Sequence, residues 1–202
     1  MDQFTEAAAS SIYGDHLPAM QQVQGEMLKT VEEIRLRMKQ RLGMDPVEHC
    51  LSRIKTDESM REKCRRQGLP ETAGSALEVI HDAIGIRVVC AFVDDVYTMR
   101  DELAAAPGCE VIREKDYIRH AKPNGYRSYH LILKKEGYFI EFQLRTISMD
   151  TWAALEHHMK YKQSLGADEA LIVQELKRCA DELASTDISM QTIRDMILAQ
   201  QS

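Results

Sequence analysis

Between Tyr138 and Arg145 the apolar residues Ile140, Phe142 and Leu144 alternate with Glu141, Gln143 and Arg145. Successive side chains of a strand point to opposite faces, so this stretch reads as a half-buried strand. Its apolar residues meet a core, and a carboxylate, an amide and a guanidinium share the other face. A second β-type run, Arg127–Leu133, precedes it across Lys135-Glu136-Gly137, and the pair reads as an antiparallel hairpin. Just upstream, Lys122-Pro123-Asn124-Gly125 is a turn signal within a polar, basic, aromatic-bearing loop. A row of polar groups beside such a loop suits a polyanion.

The rest of the chain supplies supports for that hairpin. From Leu17 to Leu42, Met20, Val23, Met27, Val31, Ile34, Met38 and Leu42 recur at spacings of three and four, which predicts an amphipathic helix ended by Gly43 and Pro46. Val47–Lys55 reads as extended, and Asp57 is the expected cap of a helix from Glu58 to Gln67 that places Ser59, Lys63 and Arg66 on one face. Ser75–His81 is expected to be a short helical turn. Asp82–Phe92 reads as a strand covered on both sides, with Arg87 anomalous in it, because a buried guanidinium needs an anion. Asp82 is its nearest candidate partner in sequence, a phosphate the alternative. A crossover helix over Asp94–Ala106 and a strand over Cys109–Arg113 then lead to the hairpin. After it come helices over Met149–Gln163 and Asp168–Ala199, the second with Ile172, Leu176, Cys179, Leu183, Met190, Ile193 and Ile197 at helical spacing and a possible break at Ser185-Thr186-Asp187. A long amphipathic helix ending a small domain is an expected oligomer interface. The order of elements predicts an α+β fold with a mixed sheet.

Composition narrows the partners. A chain of 202 residues, 44% hydrophobic and 29% charged, suits one compact soluble domain. No apolar run approaches the ~20 residues of a membrane span. The N-terminus lacks a basic region followed by an apolar core, so no secretory signal is expected. Five scattered cysteines form no C-x-x-C pair, which favours a reduced cytoplasm and disfavours zinc. The net charge of −6 argues against non-specific binding to duplex nucleic acid. Yet Arg53, Lys55, Arg61, Lys63, Arg65 and Arg66 fall within 14 residues, and Arg113, Lys115, Arg119, Lys122 and Arg127 within 15. Local basic patches on an acidic protein suit a small polyphosphate.

Taken together these segments resemble one family, the RelA/SpoT-type alarmone synthetases, GTP pyrophosphokinases that make (p)ppGpp. The resemblance rests on Ser52-Arg-Ile-Lys55 with Ser59 and Lys63, and on His81-Asp82-x-x-Gly85-x-Arg87. It continues through Asp116-Tyr-Ile with Lys122-Pro-Asn-Gly-Tyr-Arg-Ser-Tyr-His130, then Glu141-x-Gln-x-Arg-Thr146 and Trp152-Ala-x-x-Glu-His157. These lie in the family's order across roughly residues 50–162. The resemblance implies a nucleotidyltransferase-like mixed sheet flanked by helices, with a synthetase core at 47–163, a helical extension at 1–46 and an oligomerising helix at 164–202. The small members are close to this chain in length, so no hydrolase domain and no alarmone degradation are expected.

The implied reaction moves the β,γ-pyrophosphate of ATP to the ribose 3′-hydroxyl of GTP or GDP, with GMP a further candidate acceptor, and leaves AMP. Such transfer is mostly positioning and charge neutralisation. By resemblance, Asp82 and Glu141 are the metal carboxylates for Mg²⁺, and Glu141 is also the base for the 3′-hydroxyl. Arg53, Lys55, Ser59, Lys63, Arg66 and Arg87 fall on the ATP side. Tyr126 matches the guanine-stacking tyrosine, flanked on the acceptor side by Arg113, Lys115, Lys122, Asn124, His130, Gln143 and Arg145. Tyr129 is expected in the core and Trp152 under the sheet. A homo-oligomer, often a tetramer, with an alarmone or single-stranded RNA effector is implied, in the cytoplasm and away from membranes. Two other readings share these motifs: a toxin-type synthetase acting on tRNA 3′ ends or adenine nucleotides, and a non-catalytic nucleotide-binding module.

Overall fold

The computed structural model describes residues 11–161 and 169–200. A five-stranded mixed sheet organises it, built from β1 (Val47–Ile54), β2 (Ile84–Cys90), β3 (Glu110–Asp116), β4 (Tyr129–Lys135) and β5 (Tyr138–Thr146). The spatial order is β1-β2-β5-β4-β3, with β2 and β5 parallel and every other pair antiparallel. The expected hairpin is β4–β5. Its tight turn puts Glu136 at φ 50° and Gly137 at φ 87°, the left-handed pair that matches strand twist in two-residue loops.

One face of the sheet carries the core. Helix α1 (Leu17–Leu42) lays Met20, Val23, Met27, Val31, Ile34 and Met38, all buried, against Ile84, Ile86 and Val88 of β2 and Phe142 and Leu144 of β5. Gly43 ends it in the left-handed region at φ 71°, its N–H returning to the Lys39 carbonyl at 2.9 Å. Helix α3 (Val93–Ala104) adds Val96, Met99 and Leu103 to the same core. It also carries Arg100, which pairs with Glu114 of β3 at 2.5 Å.

Local chemistry corrects several boundaries. Helix α2 (Asp57–Arg66) is capped by Thr56, whose hydroxyl accepts the Ser59 N–H at 3.3 Å, rather than by Asp57. Asp57 instead pairs with Arg61 at 2.6 Å and accepts the Ile12 N–H. The expected turn is a π-helical one, Ser75–Val79. Strand β3 runs to Asp116, beyond the expected Arg113, because it pairs with β4 along that whole length.

Helices α4 (Ile147–Tyr161) and α5 (Glu169–Ala199) follow the hairpin. The expected end at Gln163, the 163/164 boundary and the start at Asp168 lie outside the described residues, as do residues 1–10. The cluster at Ser185–Asp187 does not break α5. The Thr186 and Ser189 hydroxyls donate to carbonyls one turn back, and Asp187 turns inward to accept the Thr146 hydroxyl at 2.6 Å. Nor does α5 carry a single apolar stripe. Its packed face includes Ala180, Asp187 and Arg194, while Met190, Ile193 and Ile197 face outward and are about half exposed. Trp152 lies against α5 rather than under the sheet, its indole N–H donating to the Leu176 carbonyl at 2.9 Å.

Burial pushes the Asp187 carboxyl above its ordinary range, partly offset by the hydroxyls of Thr146 and Ser148. A carboxyl whose folded pKa is raised contributes most below the unfolded value of about 3.9, and that contribution is lost as pH rises. Asp187→Asn should therefore be more stable than wild type at pH 7, with the advantage shrinking towards pH 4. Urea unfolding at both pH values checks this, and a wild type that is the more stable at pH 7 refutes it.

Candidate active site

The sheet face opposite the core is polar, and strand register explains which residues meet on it. Arg53, Gly85, Glu141, Ile132 and Arg113 lie side by side across all five strands, and Leu51, Arg87, Gln143, His130 and Lys115 form the next row. Opposed residues in a sheet share a face, so residues distant in sequence converge here. Two local devices make this possible. A β-bulge between Val111 and Arg113 inserts an extra residue into β3. In an unbroken register Arg113 and Lys115 would point into the core. Gly85, beside Glu141, has only the Arg53 carbonyl within 4 Å of where a Cβ would stand, so the surface above it is open.

Glu141 occupies the middle strand. His130 Nδ1 lies 3.2 Å from its Oε1, and the Gln143 amide donates to its Oε2 at 3.2 Å. The bonds continue from His130 Nε2 to the Tyr126 hydroxyl at 2.8 Å, from Arg145 to that hydroxyl at 2.8 Å, and from Arg145 back to the Gln143 carbonyl oxygen at 3.2 Å. The result is a closed ring of five side chains. An ionised carboxylate can only accept, so Nδ1 carries the hydrogen, and in the neutral imidazole Nε2 accepts from Tyr126. Burial pushes the Glu141 carboxyl up, and nearby Asp82 adds to this. The hydrogen bond and electrostatic attraction of His130, together with the Gln143 hydrogen bond, outweigh both, and the net shift is downward.

Asp82 has a different balance. Burial again pushes it up, but Lys63 at 2.5 Å and Lys55 at 3.0 Å both hold Oδ2, and the net is again downward. Its other oxygen, Oδ1, is buried with no hydrogen-bond partner. An orphaned carboxylate oxygen next to a second ionised carboxylate fits a hard cation, which takes one or two protein carboxylates and fills its remaining positions with water or phosphate oxygens. No cluster of three or more His, Cys, Asp or Glu side chains suited to a metal occurs among the described residues.

Arg87 corrects the sequence reading. Its partner is Asp150, at 3.3 Å from the first turn of α4, and not Asp82. Asp150 also takes Arg145 at 2.9 Å and faces His49 at 3.7 Å. Sequence reasoning missed this anchor; an acidic residue in the first turn after Glu141-x-Gln-x-Arg-Thr146 was its only signal. Arg145 is 4% exposed, so it braces Tyr126 and Gln143 and is withdrawn from solvent.

Two clefts open on this face. One, of about 650 Å³, is lined by Arg53, Lys55, Asp82, Arg87, Glu141 and Gln143 among others. The second, of about 530 Å³, is lined by Arg113, Lys115, Tyr117, Lys122, His130 and Glu141 among others. Glu141 lines both. Lys122 sits over the rings of Tyr117 and Tyr126, 4.7 Å from each centroid. Of the predicted residues, Ser59, Lys63, Arg66, Asn124, Tyr126 and Arg145 line neither cleft. Lys63 reaches the site through Asp82. The Ser59 hydroxyl lies 2.9 Å from Thr56 Oγ1, and Arg66 is exposed on α2. Asn124 is spent on the loop, its amide donating to Glu156 at 3.1 Å and its oxygen accepting the Tyr126 N–H.

A mixed sheet flanked by helices, with Asp82 in one cation-lined cleft and Glu141 on the wall shared by two, has the make-up of a nucleotide-handling transferase. The comparisons with known proteins make the class specific. The family described as the region found in RelA/SpoT proteins matches residues 52–165. The GTP pyrophosphokinase YwaC of Bacillus subtilis is 38% identical over 160 residues, covering 75% of this chain and 76% of its own length. YjbM, a second GTP pyrophosphokinase of that organism, is 31% identical over 181 residues, covering 82% and 84%. Among solved structures, small alarmone synthetase 1 from B. subtilis bound to its product pppGpp superposes with a TM-score of 0.75. It shares 30% identity and covers 89% of this chain and 94% of its own. The chain belongs to the RelA/SpoT family.

Burial is the largest single influence on Glu141, and removing His130 takes away most of what opposes it. His130→Ala should move the Glu141 carboxyl titration to higher pH, read by ¹³C NMR of labelled glutamate. A shift to lower pH would contradict the balance described above.

Proposed function

We propose that this chain transfers the β,γ-pyrophosphate of ATP to the ribose 3′-hydroxyl of GTP or GDP, releasing AMP. The observation that carries the reading is the position of Glu141 on the wall shared by the two clefts. A group there reaches both a donor phosphate on one side and an acceptor hydroxyl on the other. Family membership and the pyrophosphokinase relatives support it.

The cleft of Arg53, Lys55 and Arg87 is read as the ATP side, where guanidinium groups can lie on adenine as well as hold phosphate. The cleft of Arg113, Lys115, Lys122 and His130 is read as the acceptor side, with Tyr126 the stacking ring; a base stacked there displaces the Lys122 ammonium. Glu141, kept ionised, accepts the 3′-hydroxyl proton, the 3′-oxygen bonds to the β-phosphorus, and the α–β bridging bond breaks to leave AMP. Asp82 Oδ1 and Glu141 would hold Mg²⁺, which supplies charge neutralisation on the polyphosphate. Residues 47–163 are read as the synthetase core. The outward apolar face of α5 is read as the seat of a homo-oligomer, a tetramer by family resemblance, with an alarmone or single-stranded RNA as effector. No described helix is long and apolar enough to cross a membrane. All five cysteines are free thiols, in keeping with a reduced cytoplasm.

Incubation with Mg²⁺, labelled ATP and GDP or GTP, followed by ion-exchange separation, should yield a guanosine tetra- or pentaphosphate with stoichiometric AMP. Product only on tRNA or adenine nucleotides would replace the acceptor assignment. Glu141→Gln should abolish turnover while nucleotide binding persists, and near-normal turnover would remove the base. Tyr126→Ala should raise the acceptor KM about tenfold with little change for ATP, since base stacking is worth ~1–3 kcal/mol.

A further inference from the structure

The acceptor loop does not stand alone. Gly125, at φ 92°, lies so close to α5 that a Cβ there would be 2.7 Å from the Ala180 Cβ and 2.9 Å from the Lys177 Cα. Only glycine permits that approach. Two residues on, Arg127 bridges loop and helix: one guanidinium nitrogen donates to the Gly125 carbonyl at 3.1 Å and the other to Asp181 at 2.8 Å. Asp181 is held in turn by Lys177 at 2.6 Å. Between Gly125 and Arg127 sits Tyr126, so the ring is suspended from the Lys177–Asp181 segment of α5.

The same helix grips the strand of Glu141. Two turns further along α5, about 10 Å at 1.5 Å per residue, Asp187 accepts the hydroxyl of Thr146, the last residue of β5. At its far end Arg194 pairs with buried Asp95 of α3 at 3.1 Å. One rigid element therefore touches the loop that carries Tyr126 and the strand that carries Glu141. Gly125, Arg127 and Thr146 belong to motifs that resemble the family, but their partners on α5, Ala180, Asp181 and Asp187, all lie beyond the matched residues 52–165.

We propose that α5 is a structural wall of the acceptor site, with Gly125, Arg127, Ala180 and Asp181 as positioning residues that set where the acceptor base sits relative to Glu141. This rests on the acceptor reading of Tyr126 given above. Loosening the clamp moves Tyr126 directly, whereas Arg87 and Gln143 of the cleft on the other side of Glu141 are joined to it through Arg145 and are the less affected. Misplacement of about 1 Å in a positioning element costs up to ~10²-fold in rate, so an effect of about tenfold on the acceptor alone is the expected scale.

The test uses the full chain and measures KM for GDP and for ATP separately. Asp181→Arg sets a third cation against Arg127 and Lys177 at an exposed position, and Ala180→Leu pushes the loop off the helix without altering the loop itself. Each should raise the GDP KM about tenfold and leave the ATP KM within about twofold. The exchanged pair Arg127→Asp with Asp181→Arg should recover most of the loss, which a merely structural role does not explain. If both single variants leave the GDP KM within about twofold of wild type, the clamp is overturned. A selective loss that the exchanged pair fails to recover overturns the role of the Arg127–Asp181 pair. Tyr126→Ala in the same assay separates the two claims. If it raises the GDP KM and the α5 variants do not, only this inference fails; if it has no selective effect, the acceptor reading fails and takes this inference with it.

Discussion

Two carboxylates, Asp82 and Glu141, sit half-buried beside each other on a sheet face, where desolvation and mutual repulsion both favour protonation. They remain ionised because each is matched by its own donors, Lys55 and Lys63 for Asp82, His130 and Gln143 for Glu141. The donors are in turn fixed by groups further out. Tyr126 and Arg145 orient His130 and Gln143, and Asp150 pairs with both Arg145 and Arg87. Losing an outer member of this network leaves charge uncompensated at the centre, which is why its polar groups form closed circuits rather than isolated pairs.

The cations that line the clefts divide into two kinds. Lys55 and Arg87 are committed to internal carboxylates, as Lys63 and Arg145 are behind them, whereas Arg53, Arg113, Lys115 and Lys122 form no ion pair among the described residues. The first kind builds the site, and the second leaves charge available to a polyphosphate. This arrangement reconciles a net charge of −6 with an anionic ligand, because the field that matters is the local one in a cleft with low-dielectric walls.

Much of this was legible before any coordinates. The alternation from Tyr138 to Arg145 places Glu141, Gln143 and Arg145 on one face, and the three-and-four spacing of α1 predicts its buried stripe from Met20 to Met38, with Leu42 at its end only partly buried. Both are consequences of backbone period alone. Two of the readings that failed share one cause. Assigning Asp82 to Arg87 and capping α2 with Asp57 both paired residues by nearness in sequence. In the fold, Asp82 is taken by lysines from two other elements, and Arg87 finds Asp150 across a parallel strand pair. Asn124 and Arg145 spend their hydrogen bonds on neighbouring side chains and backbone, which periodicity in sequence does not reveal.

By itself the sequence determined the period of each element, the hairpin, the supporting helix and the set of chemical groups delivered to one loop and one strand face, because these depend on local geometry and burial of apolar residues. Only the tertiary structure decided how β2 and β5 lie parallel with Gly85 beside Glu141. It also decided that a bulge turns Arg113 and Lys115 outward, and that a helix from the far end of the chain closes on Gly125. Those outcomes rest on strand register and on contacts between segments up to a hundred residues apart, and no local periodicity encodes the distance between them.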